Sequence, residues 1–134
     1  MERDMLFSGD AFAALAGIEL VEVSSGSAKV KMKVTDLHRN SHGTVHGGAI
    51  FTLADSAFAL ASNSHGVPAA AINASISYMK ATTSGTLYAE ALEFSKNYKL
   101  GQYTVIVTDD DGNNVAIFQG MVYRKTPKEK PMKE

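Results

Sequence analysis

Gly47-Gly-Ala-Ile-Phe-Thr-Leu-Ala-Asp55-Ser-Ala-Phe-Ala-Leu60-Ala-Ser-Asn-Ser64 decides the fold. Its apolar residues follow no period of two, its alanines favour helix, and Gly66-Val-Pro68 ends the run. The spacing predicts one helix from Gly47 or Gly48 to about Ser64. Ile50, Phe51, Leu53, Phe58 and Leu60 do not share one stripe, so this helix is apolar nearly all round. A helix of that kind is enclosed by other structure rather than laid on a surface.

Downstream, four strand-like segments follow at about 69–79, 86–98, 102–108 and 114–123, with Asp110-Asp-Gly112-Asn as a tight turn between the last two. Upstream, Ile18 to Val23 and Ala28 to Val34 alternate apolar with polar residues around Ser24-Ser-Gly26-Ser, a hairpin pattern. Asp10 to Ala16 reads as a short helix with Ser8 or Asp10 as cap and Gly17 as stop. Thr35 to Val45 reads as a loop. Arg124 to Glu134 is charged, holds two prolines and lacks apolar periodicity, so residues 1–123 are expected as one domain and 124–134 as a disordered tail. One long helix with a mostly antiparallel run of strands makes an α+β layer, a sheet curled around a central helix. Five or six strands do not readily cover a helix apolar on every side. A partner subunit would cover the rest, which predicts a homo-oligomer.

Composition narrows the function classes. The 134 residues carry a formal charge of −1, which gives no electrostatic basis for nucleic-acid binding. The chain has no cysteine, which removes disulfides, thiolate metal sites and a cysteine nucleophile together. Met1-Glu-Arg-Asp-Met-Leu-Phe does not read as a signal peptide. The longest low-charge stretch contains histidines, asparagines, glycines and a proline, so no membrane span is predicted. The expectation is a soluble cytoplasmic protein.

Between Arg39 and Lys80 only one residue, histidines aside, is charged, and it is Asp55. A carboxylate in such surroundings is hydrated, paired or used, because burying an unpaired charge is expensive. The ordinary fate of a helical aspartate is a hydrogen bond to a neighbouring hydroxyl, here Thr52 or Ser56. Against that stands the Gly47-Gly48 pair just upstream, whose N–H groups at the helix start point along the positive end of the dipole. An exposed dipole end and a lone acid are the two halves of an acyl-transfer site. His42 and His46 are spaced i, i+4, but Gly43 and the polar context argue for loop and no third ligand follows, so no metal is expected. His46 has two roles open, general base or turn-fixing residue. Asn40 likewise either stabilises the loop or turns its amide to a substrate carbonyl or a water. No Gly-x-Ser-x-Gly elbow supports a serine nucleophile.

Leu37-x-x-Asn40-x-x-Gly43-x-x-His46-Gly47-Gly48-x-x-x-x-Leu53-x-Asp55 resembles the signature of hotdog-fold acyl-CoA thioesterases of the phenylacetate-degradation (PaaI-like) group. The order of elements from about Asp10 to Tyr123 agrees, and Ala71-Ile-Asn73-Ala-Ser75-Ile-Ser77-Tyr78 resembles the strand after the central helix. The resemblance implies a hotdog fold and hydrolysis of a small or medium acyl- or aryl-CoA thioester, without cofactor. In it Gly47 polarises the carbonyl through its N–H, Asn40 and His46 help to place it, and Asp55 is general base or nucleophile. Some relatives carry a serine or threonine on the following strand to orient the water. That position is Ala71 here, with Asn73 or Ser75 as substitutes. Gly48, Phe51, Phe58, Asn73, Tyr78 and Met79 are the candidate substrate-binding residues. Lys80, Lys96, Lys99, Arg124 and Lys125 are the candidate cations for the CoA phosphates.

One geometric point stands without the family. Gly47 and Asp55 are eight residues apart, which on a helix is roughly 12 Å. A base lies within about one water of the carbon it helps to attack. Two antiparallel helices across a homodimer, or a dimer of dimers, solve this: each gives its N-terminus to one site and its aspartate to the other. Two further readings stand beside hydrolysis, a hotdog-fold hydratase/dehydratase and a non-catalytic acyl-CoA-binding protein. The segment Asp36-Leu-His38-Arg-Asn40 does not fit the first, and retention of Asp55 argues against the second.

Overall fold

Six antiparallel strands curl around one helix in a computed structural model that describes residues 9–126. In chain order the elements are α1 (Ala11–Leu15), β1 (Ile18–Ser24), β2 (Ser27–Lys33), a 3-10 turn (Asp36–His38), α2 (Gly47–Ser62), β3 (Ala69–Tyr78), β4 (Thr86–Lys96), β5 (Leu100–Thr108) and β6 (Asn114–Arg124). The sheet order is β1-β2-β4-β5-β6-β3, so β3 crosses over to the far edge and pairs only with β6. Elements fall close to where the sequence places them. The cap of α1 is Asp10, whose carboxylate accepts from Ala13 N; the other candidate, Ser8, lies outside the described residues.

Strand alternation builds the core. Ala89 and Ala91 on β4, Tyr103, Val105 and Val107 on β5, and Ala116, Phe118 and Val122 on β6 are buried with Leu53, Ala57, Phe58 and Ala61 of α2. Fully burying a valine, leucine or phenylalanine side chain contributes about 1.5–3 kcal/mol, and an alanine methyl less. The Phe58 ring lies 5.4 Å from that of Phe118 and 5.9 Å from that of Tyr103. The tip of the ring also abuts Gly120, where an added Cβ would sit 2.6 Å from a ring carbon. Only glycine admits the ring there, so helix and sheet are locked in one register.

Three expectations are revised. The helix apolar all round is covered by its own sheet more completely than predicted, because the strong curl brings all six strands around it. Past the first turn, what stays open is one stripe, Phe51, Thr52, Asp55 and Ala59, which continues Gly48 at spacings of three and four. The loop 35–45 contains the 3-10 turn, capped by Thr35. At the other end β6 runs on through Arg124, the first residue of the expected tail. Its buried guanidinium donates to Asn97 O at 2.9 Å. Lys125 N donates to Pro68 O at 2.8 Å. The rest of that segment, 127–134, lies outside the described residues.

Candidate active site

The turn into α2 is built by hydrogen bonds from its own side chains. His46 caps the helix: its Nδ1 accepts from Gly48 N at 2.8 Å and its carbonyl accepts from Ala49 and Ile50 N. Since Nδ1 is an acceptor, the proton of a neutral ring is on Nε2. Of the two roles open to His46, the structure displays the turn-fixing one. Asn40 is similarly committed. Its Oδ1 accepts from His42 N at 2.9 Å and from Thr44 N at 3.2 Å, and its Nδ2 donates to Thr44 Oγ1 at 2.9 Å. With Gly48 N–H taken by the cap, the open donor at the helix start is Gly47 N–H, which has no acceptor among the described residues. Tyr78 closes over the same glycine. Its hydroxyl donates to Gly47 O at 2.9 Å, and a Cβ on Gly47 would lie 3.1 Å from the ring.

Asp55 escapes the ordinary fate of a helical aspartate. Thr52 Oγ1 donates to Gly48 O at 2.8 Å and Ser56 Oγ to Thr52 O at 2.8 Å, so both neighbouring hydroxyls bond backward to the helix. The half-buried carboxyl has no hydrogen-bond partner among the described residues. Burial raises its pKa above the ordinary aspartate value, and the charge of Asp10 at the start of α1 raises it further.

The remaining candidates separate. Phe51 is partly buried edge-on to Phe118, 5.4 Å between centroids. Tyr78 and Met79 are exposed and line an open pocket of about 380 Å³ with Gly47, Thr44 and Thr82. Phe58 is a core residue, 1% exposed. Asn73 registers with Met121 and Ser75 with Gln119, on the sheet face turned away from α2, whereas Ala71 registers with buried Val122. Neither Asn73 nor Ser75 therefore replaces a water-positioning hydroxyl at Ala71 within its own subunit. Among the expected phosphate cations, Lys80 donates to Asp109 Oδ2 at 2.5 Å, Lys99 to Tyr123 OH at 3.1 Å, and Arg124 is buried. The Lys80 contact, with backbone N–H donors from Asn113 and Asp111, holds the Asp109 carboxyl down at about 2. Among the described residues no three His, Cys, Asp or Glu side chains are grouped to hold a metal.

Sequence reasoning passed over two residues. His38, read as part of a loop, is buried with both ring nitrogens used: Nε2 donates to Ala16 O at 2.6 Å and Nδ1 accepts from Thr35 N at 2.9 Å. Its carbonyl accepts from His46 N at 2.7 Å, so one residue ties the end of α1 to the cap of α2. The spacing Thr35-x-x-His38, a capping pair with histidine in the place of glutamate, was the available signal. Thr82 left no signal in the sequence; its Oγ1 is the buried side-chain polar atom without a partner among the described residues.

The profile of the thioesterase superfamily matches residues 42–116. A protein of Archaeoglobus fulgidus named as a candidate esterase is 43% identical over 123 residues, 91% of this chain and 80% of that one. The acyl-coenzyme A thioesterase PaaI of Escherichia coli is 35% identical over 120 residues, 89% of this chain and 86% of that one. The solved structure of the E. coli PaaI protein superposes with a TM-score of 0.87, covering 90% of this chain and 88% of that one at 34% identity.

Proposed function

This chain belongs to the thioesterase superfamily, as a PaaI-like hotdog thioesterase, and on that premise we propose that it hydrolyses a small or medium acyl- or aryl-CoA thioester to the free acid and CoA. One observation carries the reading: an unpartnered Gly47 N–H at the start of α2, with an unpartnered, half-buried Asp55 on the same helix. The thioester oxygen accepts from Gly47 N–H, where the helix dipole stabilises the charge that develops on it. Asn40 and His46 act as positioning residues that hold the turn. Asp55 takes a proton from water as the water oxygen bonds to the carbonyl carbon. The tetrahedral intermediate then collapses with cleavage of the C–S bond, and the thiolate of CoA leaves and is protonated. Attack by the Asp55 carboxylate itself expels the CoA thiolate and forms a mixed anhydride, which water hydrolyses to the same acid and the free carboxylate.

Gly47 and Asp55 lie about 12 Å apart along one helix, too far to serve one carbonyl, so the site is completed by a second subunit. The open stripe Gly48, Thr52, Asp55 and Ala59 is the face two antiparallel helices would share. The β3 edge, with Ile72, Tyr78 and Met79 exposed, is one that a homodimer would cover. The test is Asp55→Asn, which keeps the shape and removes the base. Thiol release from a panel of acyl-CoAs should fall on the order of 10²–10⁴-fold. Unchanged turnover in a folded mutant would sink the assignment.

A further inference from the structure

Asp10 and Asp55 are carboxylates on different helices, and the way α1 lies along α2 brings them together. The end of α1 is fixed at the first turn of α2. His38 Nε2 donates to Ala16 O at 2.6 Å, and His38 O accepts from His46 N at 2.7 Å. One turn back along α1, Phe12 shares a surface with Gly48, Ala49 and Thr52 of α2. Within one subunit the two helices therefore run antiparallel. Asp10, just ahead of Phe12, comes beside the next turn of α2, where Asp55 lies roughly 4.5 Å beyond Thr52 along the axis.

Capping does not require the charge of Asp10. Its Oδ1 accepts from Ala13 N at 2.9 Å, a bond that Asn or Ser makes equally well. What aspartate adds is a negative charge, and other groups on the elements packed against α2 are spent or distant. His38 has both ring nitrogens bonded, His46 caps Gly48 N, and Tyr78 is on Gly47 O. Glu93, His65 and Tyr103 bond one another at the C-terminal end of α2, and Arg124 donates to Asn97 O. The lysines and glutamates of β1 and β2 alternate with buried residues and face outward. Burial raises the pKa of Asp55 first, and Asp10 supplies the charge that adds to it.

We propose that Asp10 is a positioning residue that acts through Asp55: the cap of α1 is a second carboxylate set against the catalytic one, and its charge helps Asp55 to draw the proton from water. A general base works best when its proton affinity approaches the working pH. The proposal rests on Asp55 being the base assigned above. Asp10 is exposed, so its influence is screened by salt.

The test uses the full chain labelled with ¹³C at the aspartate carboxyl carbons, with Asp55→Asn to identify the Asp55 signal. Asp10→Asn and Asp10→Ser keep the cap and remove the charge, and both should lower the titration midpoint of Asp55. Asp10→Glu keeps the charge and should stay near the parent. Raising salt to about 0.5 M should move the parent toward the uncharged variants and leave those variants in place. In turnover the acid limb of kcat should follow. At a pH below it, Asp10→Asn should retain about two- to fivefold more of its plateau rate than the parent does, the size expected of one exposed charge pair. A midpoint unmoved in Asp10→Asn overturns the proposal, and so does one that moves in Asp10→Glu as far as in Asp10→Asn, since that follows the cap and not the charge. A lower KM for acyl-CoA with the acid limb unmoved assigns Asp10 to substrate repulsion and also overturns it. An unmoved midpoint beside an inactive Asp55→Asn removes Asp10 and leaves the hydrolytic reading standing. If the midpoint shifts as expected and no acyl-CoA is hydrolysed, the carboxylate pair stands and the hydrolytic reading falls.

Discussion

The two ends of α2 are built to opposite rules. At the C-terminal end the side chains answer one another and the backbone. Asn63 Nδ2 donates to Ala59 O at 2.9 Å, and its Oδ1 accepts from Ala69 N at 2.9 Å. Ser64 Oγ donates to Ala61 O and accepts from Gly26 N, both at 2.7 Å. Beside it Glu93 Oε1 meets His65 Nε2 at 2.7 Å and accepts from Tyr103 OH at 2.8 Å. From the N-terminus to the middle of the helix, Gly47 N–H and the Asp55 carboxyl, and beside its first turn Thr82 Oγ1, are left without protein partners among the described residues. Unsatisfied groups cost stability, and native proteins tolerate few of them. Their occurrence along and beside the first half of one helix marks where the molecule is arranged for something other than itself. The satisfied end is scaffold.

The largest effect should come from separating the two halves of the open end. Gly47→Pro removes the N–H. Proline suits the first helical position, and His46, at ψ 136°, already holds the conformation a pre-proline residue prefers. Tyr78 must yield by a few tenths of an ångström to the new Cβ. Loss of one oxyanion donor should lower kcat on the order of 10²–10³-fold. Co-assembled with Asp55→Asn, it places both lesions in one site of a dimer and neither in the other. Mixed dimers should recover up to half of normal activity while each parent stays inactive. Verified heterodimers as dead as both parents would mean that base and donor serve one carbonyl from the same chain. Asp55→Asn should also raise the melting temperature at pH 7. The folded-state pKa of Asp55 is raised, so its carboxyl opposes folding when ionised; the gain should fade as pH falls and the wild-type group is protonated.

At the closed end the expected effect is on stability and not on turnover. Glu93→Ala leaves the hydroxyl of Tyr103, a residue 1% exposed, without an acceptor and His65 without its partner. The cost should be about 1–3 kcal/mol in urea unfolding, with kcat unchanged. Glu93→Gln, which keeps an acceptor for Tyr103, should recover part of it. Burial works to raise the pKa of Glu93, but hydrogen bonds from His65 and Tyr103 outweigh it and hold it low. The stability it supplies is therefore present above the unfolded carboxylate range and lost as pH falls through the folded value. A drop in kcat of tenfold or more in Glu93→Ala would make the closed end part of the catalytic unit and erase the contrast.

Much of this was legible in the sequence, for definite reasons. Alternation, the alanine-rich run and glycine–proline punctuation located each element because those signals are local. The isolation of Asp55 and the open turn at Gly47 were legible because a lone charge and a glycine pair stand out on an apolar helix. Asp10 was read as a cap, but its proximity to Asp55 depends on how α1 lies along α2. Phe58 and Asn73 were misplaced for the same kind of reason. An aromatic on an apolar helix looks alike facing core or cleft, and the side of the sheet on which Asn73 falls is set by the β3 register and its shift between Ala71 and Asn73. His38 and Thr82 draw their meaning from contacts with segments distant in sequence, as the bond from His38 to Ala16 illustrates.

The smallest effect concerns Thr82, the one group at the open end that need not belong to the site. It is 7% exposed, its carbonyl accepts from Val45 N at 2.8 Å, and its Oγ1 is sealed from solvent without a partner. A buried hydroxyl in that state costs about 1–3 kcal/mol relative to one that is bonded. Thr82→Val keeps the β-branched shape and the backbone bond while deleting the hydroxyl. If the orphan is only a flaw in the scaffold, the variant should be more stable by up to about 1 kcal/mol, with kcat and KM unchanged. If the hydroxyl instead meets substrate or an ordered water during the reaction, the substitution should lower kcat/KM, and stability should not improve. Urea unfolding and steady-state kinetics on the same preparation separate the two results. The first makes the open end consist of Gly47 and Asp55 alone; the second adds a third member to it, on the β3 side of the turn.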